Sequence, residues 1–208
     1  MNTVGIVTSA CVLAAYLLGS VSGSLLLGRL RQLDIRLMGS GNAGGTNALR
    51  FLGPWFALGV VLIDVGKGVL ATVLPALWTG GDLPVWLPIA CGLAAVFGHC
   101  YPVWHGFRGG KGAATAVGAI VVLAPVLLLP MLGTWVLVLV ISGYVGLATM
   151  LAGLSLIPAT IWLGTPGLLW FTVPLALFLV FTHRTNVRRL AAGTEHRFER
   201  VRLTRRFW

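Results

Sequence analysis

The stretch GAATAVGAIVVLAPVLLLPMLGTWVLVLVISGYVGLATMLAGLSLIPATIWLGTPGLLWFTVPLALFLVFTH, residues 112–183, holds no Asp, Glu, Lys or Arg. About 70 uncharged, mostly apolar residues need a hydrocarbon solvent, because a helix crosses a bilayer with roughly 20 such residues. Basic sequence stands at both ends: Arg108 and Lys111 before, Arg184, Arg188 and Arg189 after. Lys and Arg gather in short loops on the cytoplasmic side, so both ends belong to one side and the number of crossings between them is even. Two crossings would be far longer than a bilayer needs, whereas four average about 17 to 18 residues, the short end of the usual range. Candidate breaks are Pro125 with Pro130-Met131-Leu132-Gly133, then Ser142-Gly143 to Gly146, then Gly164-Thr165-Pro166-Gly167.

Upstream, a first span at roughly 4–27 ends in the basic segment Arg29 to Arg50. No positive charge precedes it and three arginines follow it, the reverse of a secretory signal peptide. It is expected to stay as a first helix with its N-terminus outside. A second span between Gly53 and Trp78 leads to an outer break at Thr79-Gly80-Gly81-Asp82, and a third from Pro84 to about Gly98 returns to Arg108 and Lys111. The expected fold is all-α and polytopic, with about seven transmembrane helices, the N-terminus outside and the C-terminus cytoplasmic. Five spans with re-entrant pieces is the alternative. One membrane domain covers 1–208, with spans and loops over about 5–184 and a basic tail over 185–208.

Composition agrees. Hydrophobic residues make up 57% and charged residues 10%, against about 25% charge in a soluble domain. Two lysines and thirteen arginines face Asp34, Asp64, Asp82, Glu195 and Glu199, for a net charge of +10. Such a surface selects anionic partners, and phospholipid headgroups meet basic residues at helix ends. Nucleic acid is not expected, because the arginine-rich tail follows directly from a hydrophobic span. Cys11, Cys91 and Cys100 sit in apolar stretches without CxxC spacing and read as small buried residues. The 28 glycines and 10 prolines fit closely packed, interrupted membrane helices. No internal repeat of the transporter kind is visible.

Three polar islands fall on the basic face. The first, Gly39-Ser40-Gly41-Asn42-Ala43-Gly44-Gly45-Thr46-Asn47-Ala48-Leu49-Arg50, offers backbone NH groups and short donors that converge on an anion, with Arg50 as a bidentate charge; the plainer reading is a flexible loop. The second runs from Gly98-His99 to Gly109-Gly110-Lys111-Gly112-Ala113-Ala114-Thr115. NH groups at a helix start, followed by a lysine, attract phosphate. It is no Walker A loop: Gly106 precedes Gly110 by four positions instead of five, and Gly112 stands where a Mg-binding hydroxyl belongs. The third runs from His183-Arg184-Thr185-Asn186 to Gly193-Thr194-Glu195, and His183 and Asn186 share a face if the last helix continues through them.

Inside the second span Asp64 and Lys67 stand three apart. An intramembrane charge points to function, but an i, i+3 pair also neutralises itself, and a structural role is the reading adopted. The His-x4-Asp pattern of common glycerolipid acyltransferases is absent: Trp104, Gly110, Arg188 and Val201 stand five after the four histidines. With no carboxylate in the first two islands, neither carboxylate acid-base chemistry nor a carboxylate-bound metal is expected, and no cofactor is implied. Three cationic, glycine-rich islands suit two phosphate-bearing molecules held side by side and the charge that develops when one attacks the other.

In these motifs the chain resembles the bacterial acyl-phosphate:glycerol-3-phosphate acyltransferases. The first motif is Ser40-Gly41-Asn42-x-Gly44-x-Thr46-Asn47-x-x-Arg50, the second Gly98-His99 through Gly109-Gly110-Lys111-Gly112, and the third His183-Arg184-x-Asn186 through Gly193-x-Glu195, all in order over about residues 5–200. Arg108 stands where the family often has lysine, and Arg197 likewise near the third motif. The resemblance implies a seven-helix enzyme of the bacterial inner membrane with its site on the cytoplasmic face. Its reaction moves a fatty acyl group from acyl phosphate to glycerol 3-phosphate, giving lysophosphatidic acid and phosphate, the first step of phospholipid synthesis. A soluble enzyme that makes acyl phosphate is an implied partner. Carried over, Ser40, Arg50, Lys111, His183 and Asn186 are catalytic; Gly41, Asn42, Thr46, Asn47, His99, Gly109, Gly110 and Gly112 bind substrate; Glu195 is structural. The competing class is a transporter or flippase of a phosphate-bearing metabolite or lysolipid, against which stands the gathering of polar groups at one membrane face instead of along the spans.

Overall fold

The computed structural model describes residues 3–79 and 84–199. Gly80, Gly81 and Asp82 of the expected outer break, and the tail from residue 200 onward, lie outside the described residues. The chain divides into two compact units, Met1–Leu123 and Ala124–Trp208. Among the described residues both consist of helices and loops, with no strand.

In the first unit α1 (Thr3–Gly19) is followed by α2 (Gly23–Leu30), a 3₁₀ turn at Ile35–Leu37, α3 (Gly45–Leu52), α4 (Pro54–Thr79), α5 (Trp86–Cys100) and α6 (Ala113–Leu123). The continuous first span expected at 4–27 is broken: α1 and α2 meet at a 48° bend across Ser20-Val21-Ser22. A break inside an apolar segment frees backbone polar groups that lipid cannot satisfy. Here the Val21 carbonyl accepts from Lys67 Nζ at 2.6 Å and the Gly23 NH donates to Asp64 Oδ1 at 3.1 Å. Gly53, at φ +84°, lets α3 end and α4 start at Pro54, a combination that glycine permits and most side chains resist.

Small residues let these helices meet backbone to backbone. A Cβ on Gly19 would overlap the Ala95 main chain, and one on Gly98 the Tyr16 carbonyl, so α1 and α5 are in direct contact; Gly68 against Thr115 and Gly118 against Val65 do the same for α4 and α6. Close approach and dispersion replace the hydrophobic drive that lipid removes. Cys11, Ala15, Ala71, Leu87, Cys91 and Ala95 form one buried cluster of this kind. The three cysteines are free thiols, all buried.

In the second unit a 3₁₀ turn at Pro125–Leu127 leads into α7 (Leu128–Ser142), then α8 (Val145–Trp162), a second 3₁₀ turn at Pro166–Leu168, α9 (Leu169–Thr182) and α10 (Arg184–Ala191). The breaks fall at Ala124, Gly143-Tyr144 and 163–165. The segment Pro130 to Gly133 is no break. It lies inside α7, where Pro130 occupies the first turn and no hydrogen-bond donor is lost. Helix α10 does not continue α9, because the chain bends by 52° at His183. Four described helices are long and apolar enough to cross a membrane, up to six if each bent pair counts as one, and Ala113–Leu123 is a shorter apolar helix.

Candidate active site

The first island is held from beneath by Asn47, which is 1% exposed. Its amide donates to the Ile35 carbonyl at 3.2 Å and the Met38 carbonyl at 2.9 Å, and its oxygen accepts from the Ser40 NH at 3.3 Å. Three of the four hydrogen bonds an amide side chain can make thus tie Asn47 to the backbone of residues 35–40. Ser40 and Gly41 are exposed, and Asn42, Thr46 and Arg50 are half-buried.

A strap fastens this island to the second. Asp34 caps the 3₁₀ turn through the Arg36 NH at 2.9 Å and receives Arg36 Nη2 at 2.7 Å. The same guanidinium donates from Nη1 to the carbonyls of His105 at 3.0 Å and Arg108 at 3.3 Å. Arg36 hydrogen bonding holds the Asp34 carboxyl below its ordinary range, and Asp34 in turn raises Arg36. Neither residue belongs to a motif, and sequence analysis missed both. The available signal was Asp-x-Arg at a turn, where an Asp side chain bonds the backbone two residues on.

In the second island the glycines serve packing as much as anion binding. The amides of Gly109 and Gly110 donate to the Cys100 and His99 carbonyls, each at 3.1 Å. A Cβ on Gly109 would overlap the His99 carbonyl and Pro102, and one on Gly110 the His99 ring, with the Ala43 carbonyl of the first island at 2.9 Å. The two islands are therefore in contact at Ala43 and Gly110. Beyond them Lys111 is half-buried, and Gly112 takes φ +91° to start α6. The first-turn NH groups of that helix have no intrahelical acceptor. Thr115, in the same turn, is fully buried and its hydroxyl has no hydrogen-bond partner among the described residues.

Behind the loop lies a cluster of ionisable groups. Lys67 Nζ is 3.0 Å from Asp64 Oδ1 and 2.9 Å from His99 Nδ1, while His99 Nδ1 and Asp64 Oδ1 stand 3.4 Å apart. All three residues are at most 4% exposed. Asp64 and Lys67 thus form an ion pair, and it reaches across to α5.

The third island belongs to the second unit and is built around Glu195. Its carboxylate accepts from Asn186 Nδ2 at 2.8 Å and Arg189 Nε at 2.7 Å, pinning the loop after α10 to that helix. Asn186 lies against Gly146, where a Cβ would meet its carboxamide at 2.6 Å. His183 is 5% exposed, and its Nδ1 sits 2.8 Å from the Leu179 carbonyl one turn back. His183 and Asn186 are both buried; His183 stands at the bend, directly before α10, and its carbonyl accepts from the Asn186 NH at 2.8 Å. The Arg197 side chain donates to the Ser142 carbonyl at 2.9 Å and covers the Tyr144 ring.

The first unit therefore carries Ser40 and Asn42 on one loop and Gly110 and Lys111 on another that touches it, with Thr46 and Arg50 on α3 and His99 near the end of α5, and the second unit groups His183, Asn186 and Glu195. A family profile described as glycerol-3-phosphate acyltransferase matches residues 9–193. A glycerol-3-phosphate acyltransferase of Shouchella clausii (strain KSM-K16) is 45% identical over 197 residues, covering 90% of this chain and 94% of that protein. One from Symbiobacterium thermophilum is 42% identical, covering 88% and 90%. Two crystal structures of PlsY (YgiH), an integral membrane glycerol 3-phosphate acyltransferase, share the fold. The glycerol 3-phosphate form has a TM-score of 0.85 at 35% identity over 92% of this chain and 95% of that one; the lysophosphatidic acid form has 0.82 at 34% over 91% and 94%. On this match of profile, sequence and fold, the chain belongs to the glycerol-3-phosphate acyltransferase family.

Proposed function

We propose that this protein transfers a fatty acyl group from acyl phosphate to a hydroxyl of glycerol 3-phosphate, giving lysophosphatidic acid and inorganic phosphate. The hydroxyl oxygen attacks the acyl carbonyl carbon, the bond from that carbon to the phosphate oxygen breaks, and the hydroxyl proton ends on the departing phosphate. Acyl phosphate is already a mixed anhydride, so the protein need not form an acyl-enzyme. It aligns the substrates and neutralises their charge. In this reading Ser40, Arg50, Lys111, His183 and Asn186 are catalytic. Gly41, Asn42, Thr46, Asn47, His99, Gly109, Gly110 and Gly112 form the substrate-binding segments, Asn47 also anchors the first of them, and Glu195 fixes Asn186. One membrane domain crosses the bacterial inner membrane seven times, N-terminus outside, with the islands on the cytoplasmic face where a soluble enzyme supplies acyl phosphate.

The observation that carries the reading is the contact of the first two islands at Ala43 and Gly110, next to Lys111, in a chain of this family. To test it, purified protein is mixed with palmitoyl phosphate and glycerol 3-phosphate, and phosphate and lysophosphatidic acid are followed, with palmitoyl-CoA as the control donor. Turnover should need both substrates and fall by at least about a hundredfold in Lys111→Ala and His183→Ala. A folded preparation that binds glycerol 3-phosphate without turnover would favour the transporter reading.

A further inference from the structure

The buried cluster behind the second island has a stoichiometry that fixes a proton. An ammonium has three N–H donors and no acceptor. Lys67 Nζ has three acceptors around it: the Val21 carbonyl at 2.6 Å, Asp64 Oδ1 at 3.0 Å and His99 Nδ1 at 2.9 Å. Asp64 neutralises the lysine, and its Oδ1 also takes the Gly23 NH. With Lys67 an ammonium, His99 Nδ1 accepts from it at 2.9 Å, closer than the 3.4 Å to Asp64 Oδ1, the acceptor to which an Nδ1–H would donate instead. The imidazole is then the neutral tautomer with its proton on Nε2, the nitrogen nearest to where a Cβ on Gly110 would lie. Its own carbonyl also takes the Gly110 amide. The ring is thus aimed from α5 at the loop that precedes Lys111 and the first turn of α6.

We propose that Asp64 and Lys67 are positioning residues that act through His99: they hold its imidazole as an Nε2–H donor to the phosphate group seated in the Gly109–Lys111 loop. This deepens the acyl-phosphate reading and rests on it for the identity of the bound phosphate. The cluster also explains why the first span is broken. The freed Val21 carbonyl supplies the third acceptor of Lys67, so the bend, the ion pair and the histidine form one device. Orienting partners behind a metal-binding histidine change affinity or activity by about tenfold to a hundredfold when removed, and an effect of that order is expected here.

The test uses the full chain labelled with ¹⁵N-histidine in detergent, with the His99 signals assigned from His99→Gln. The wild type should show Nδ1 unprotonated and Nε2 protonated, and inorganic phosphate should shift the Nε2 resonance saturably. An Nδ1–H tautomer, or an Nε2 signal indifferent to phosphate, overturns the proposal. Two variants extend the test, because Gln carries an amide NH near the Nε2 position and Asn one near Nδ1. His99→Gln should stay within about tenfold of wild type in kcat/KM for palmitoyl phosphate, while His99→Asn loses about a hundredfold through KM for that donor, with KM for glycerol 3-phosphate changed by less than about threefold. Equal losses in both variants, or losses shared by both substrates, contradict it. The charge-neutral double variant Asp64→Asn/Lys67→Met should lose the fixed tautomer and weaken phosphate binding by about tenfold; unchanged values in a folded sample also contradict it. If wild type fails to use palmitoyl phosphate, the proposed function falls, yet the phosphate titration still decides the role of His99.

Discussion

The two units hold a polar loop at the end of apolar helices in opposite ways. The first places Asp64, Lys67 and His99 among its helices, each at most 4% exposed. The second carries no charge through its helical run to Thr182. There Ser142, Thr149, Ser155, Thr160 and Thr182 bond to carbonyls three or four residues back in their own helices, and an ionised clasp, Glu195 with Asn186 and Arg189, comes only after the last helix ends. The difference follows the backbone. Intact helices satisfy themselves, whereas the break at Ser20-Val21-Ser22 leaves a carbonyl and an amide that need partners inside the membrane. Charge enters the apolar region where a helix is interrupted, and there it also reaches the loop.

The contrast is most easily broken at the buried pair. Asp64→Asn or Lys67→Met alone strands an opposite charge and should cost about 3–5 kcal/mol of unfolding free energy, whereas the double variant recovers most of it; chemical unfolding of the three variants in detergent would show it. Additive losses would mean that the two residues act separately.

Gly110→Ala comes next. Its methyl would overlap the His99 ring and press on the Ala43 carbonyl, so the loop must move. Acyl transfer should fall by about a hundredfold, which is about 2.7 kcal/mol, with the unfolding midpoint nearly unchanged. Wild-type kinetics in this variant would remove the contact of the two islands from the account.

On the other side of the comparison, Glu195→Ala leaves the buried Asn186 amide and Arg189 without their acceptor and should cost about 1–3 kcal/mol. Glu195→Gln keeps one oxygen for Asn186 and should recover part of the activity. Equal defects in the two variants would mean that charge matters here and the Asn186 bond does not.

The smallest effect is expected at the half-buried strap. Asp34→Asn should lower activity by severalfold, because partly exposed ion pairs contribute about 1 kcal/mol or less. Arg36 holds the Asp34 carboxyl below its ordinary range in the folded state. A depressed carboxyl adds stability above its unfolded value, about 3.9, and loses it as pH falls through the folded value. The ratio of variant to wild-type activity should therefore stay flat from about pH 5 to pH 9; a slope within that window would show that another group controls the strap.

Much of this was legible from residues alone. The uncharged run 112–183 between basic ends marks an all-helical membrane protein, and the three islands stand out as polar, glycine-rich sequence between apolar segments. Contacts between distant residues were not legible. Gly19-Ser20-Val21-Ser22-Gly23 carries the glycines and serines that punctuate helices, but nothing there shows what satisfies the freed backbone, since Lys67 lies 46 residues away. His99 meets Lys67 across 32 residues, and Arg36 meets His105 and Arg108 across 69 and 72. Gly109 and Gly110 look like amide donors to an anion until their acceptors, Cys100 and His99, are seen. Spacing reveals what one helix or loop can do, and these functions arise where two of them meet.

The most direct test of the central claim is a single-turnover quench of the purified protein with palmitoyl phosphate, with and without glycerol 3-phosphate. Direct transfer predicts that phosphate and lysophosphatidic acid appear together, in equal amounts, only when both substrates are present, and that no acyl group remains on the protein. A burst of phosphate without glycerol 3-phosphate, with the acyl group recovered on Ser40, would contradict it.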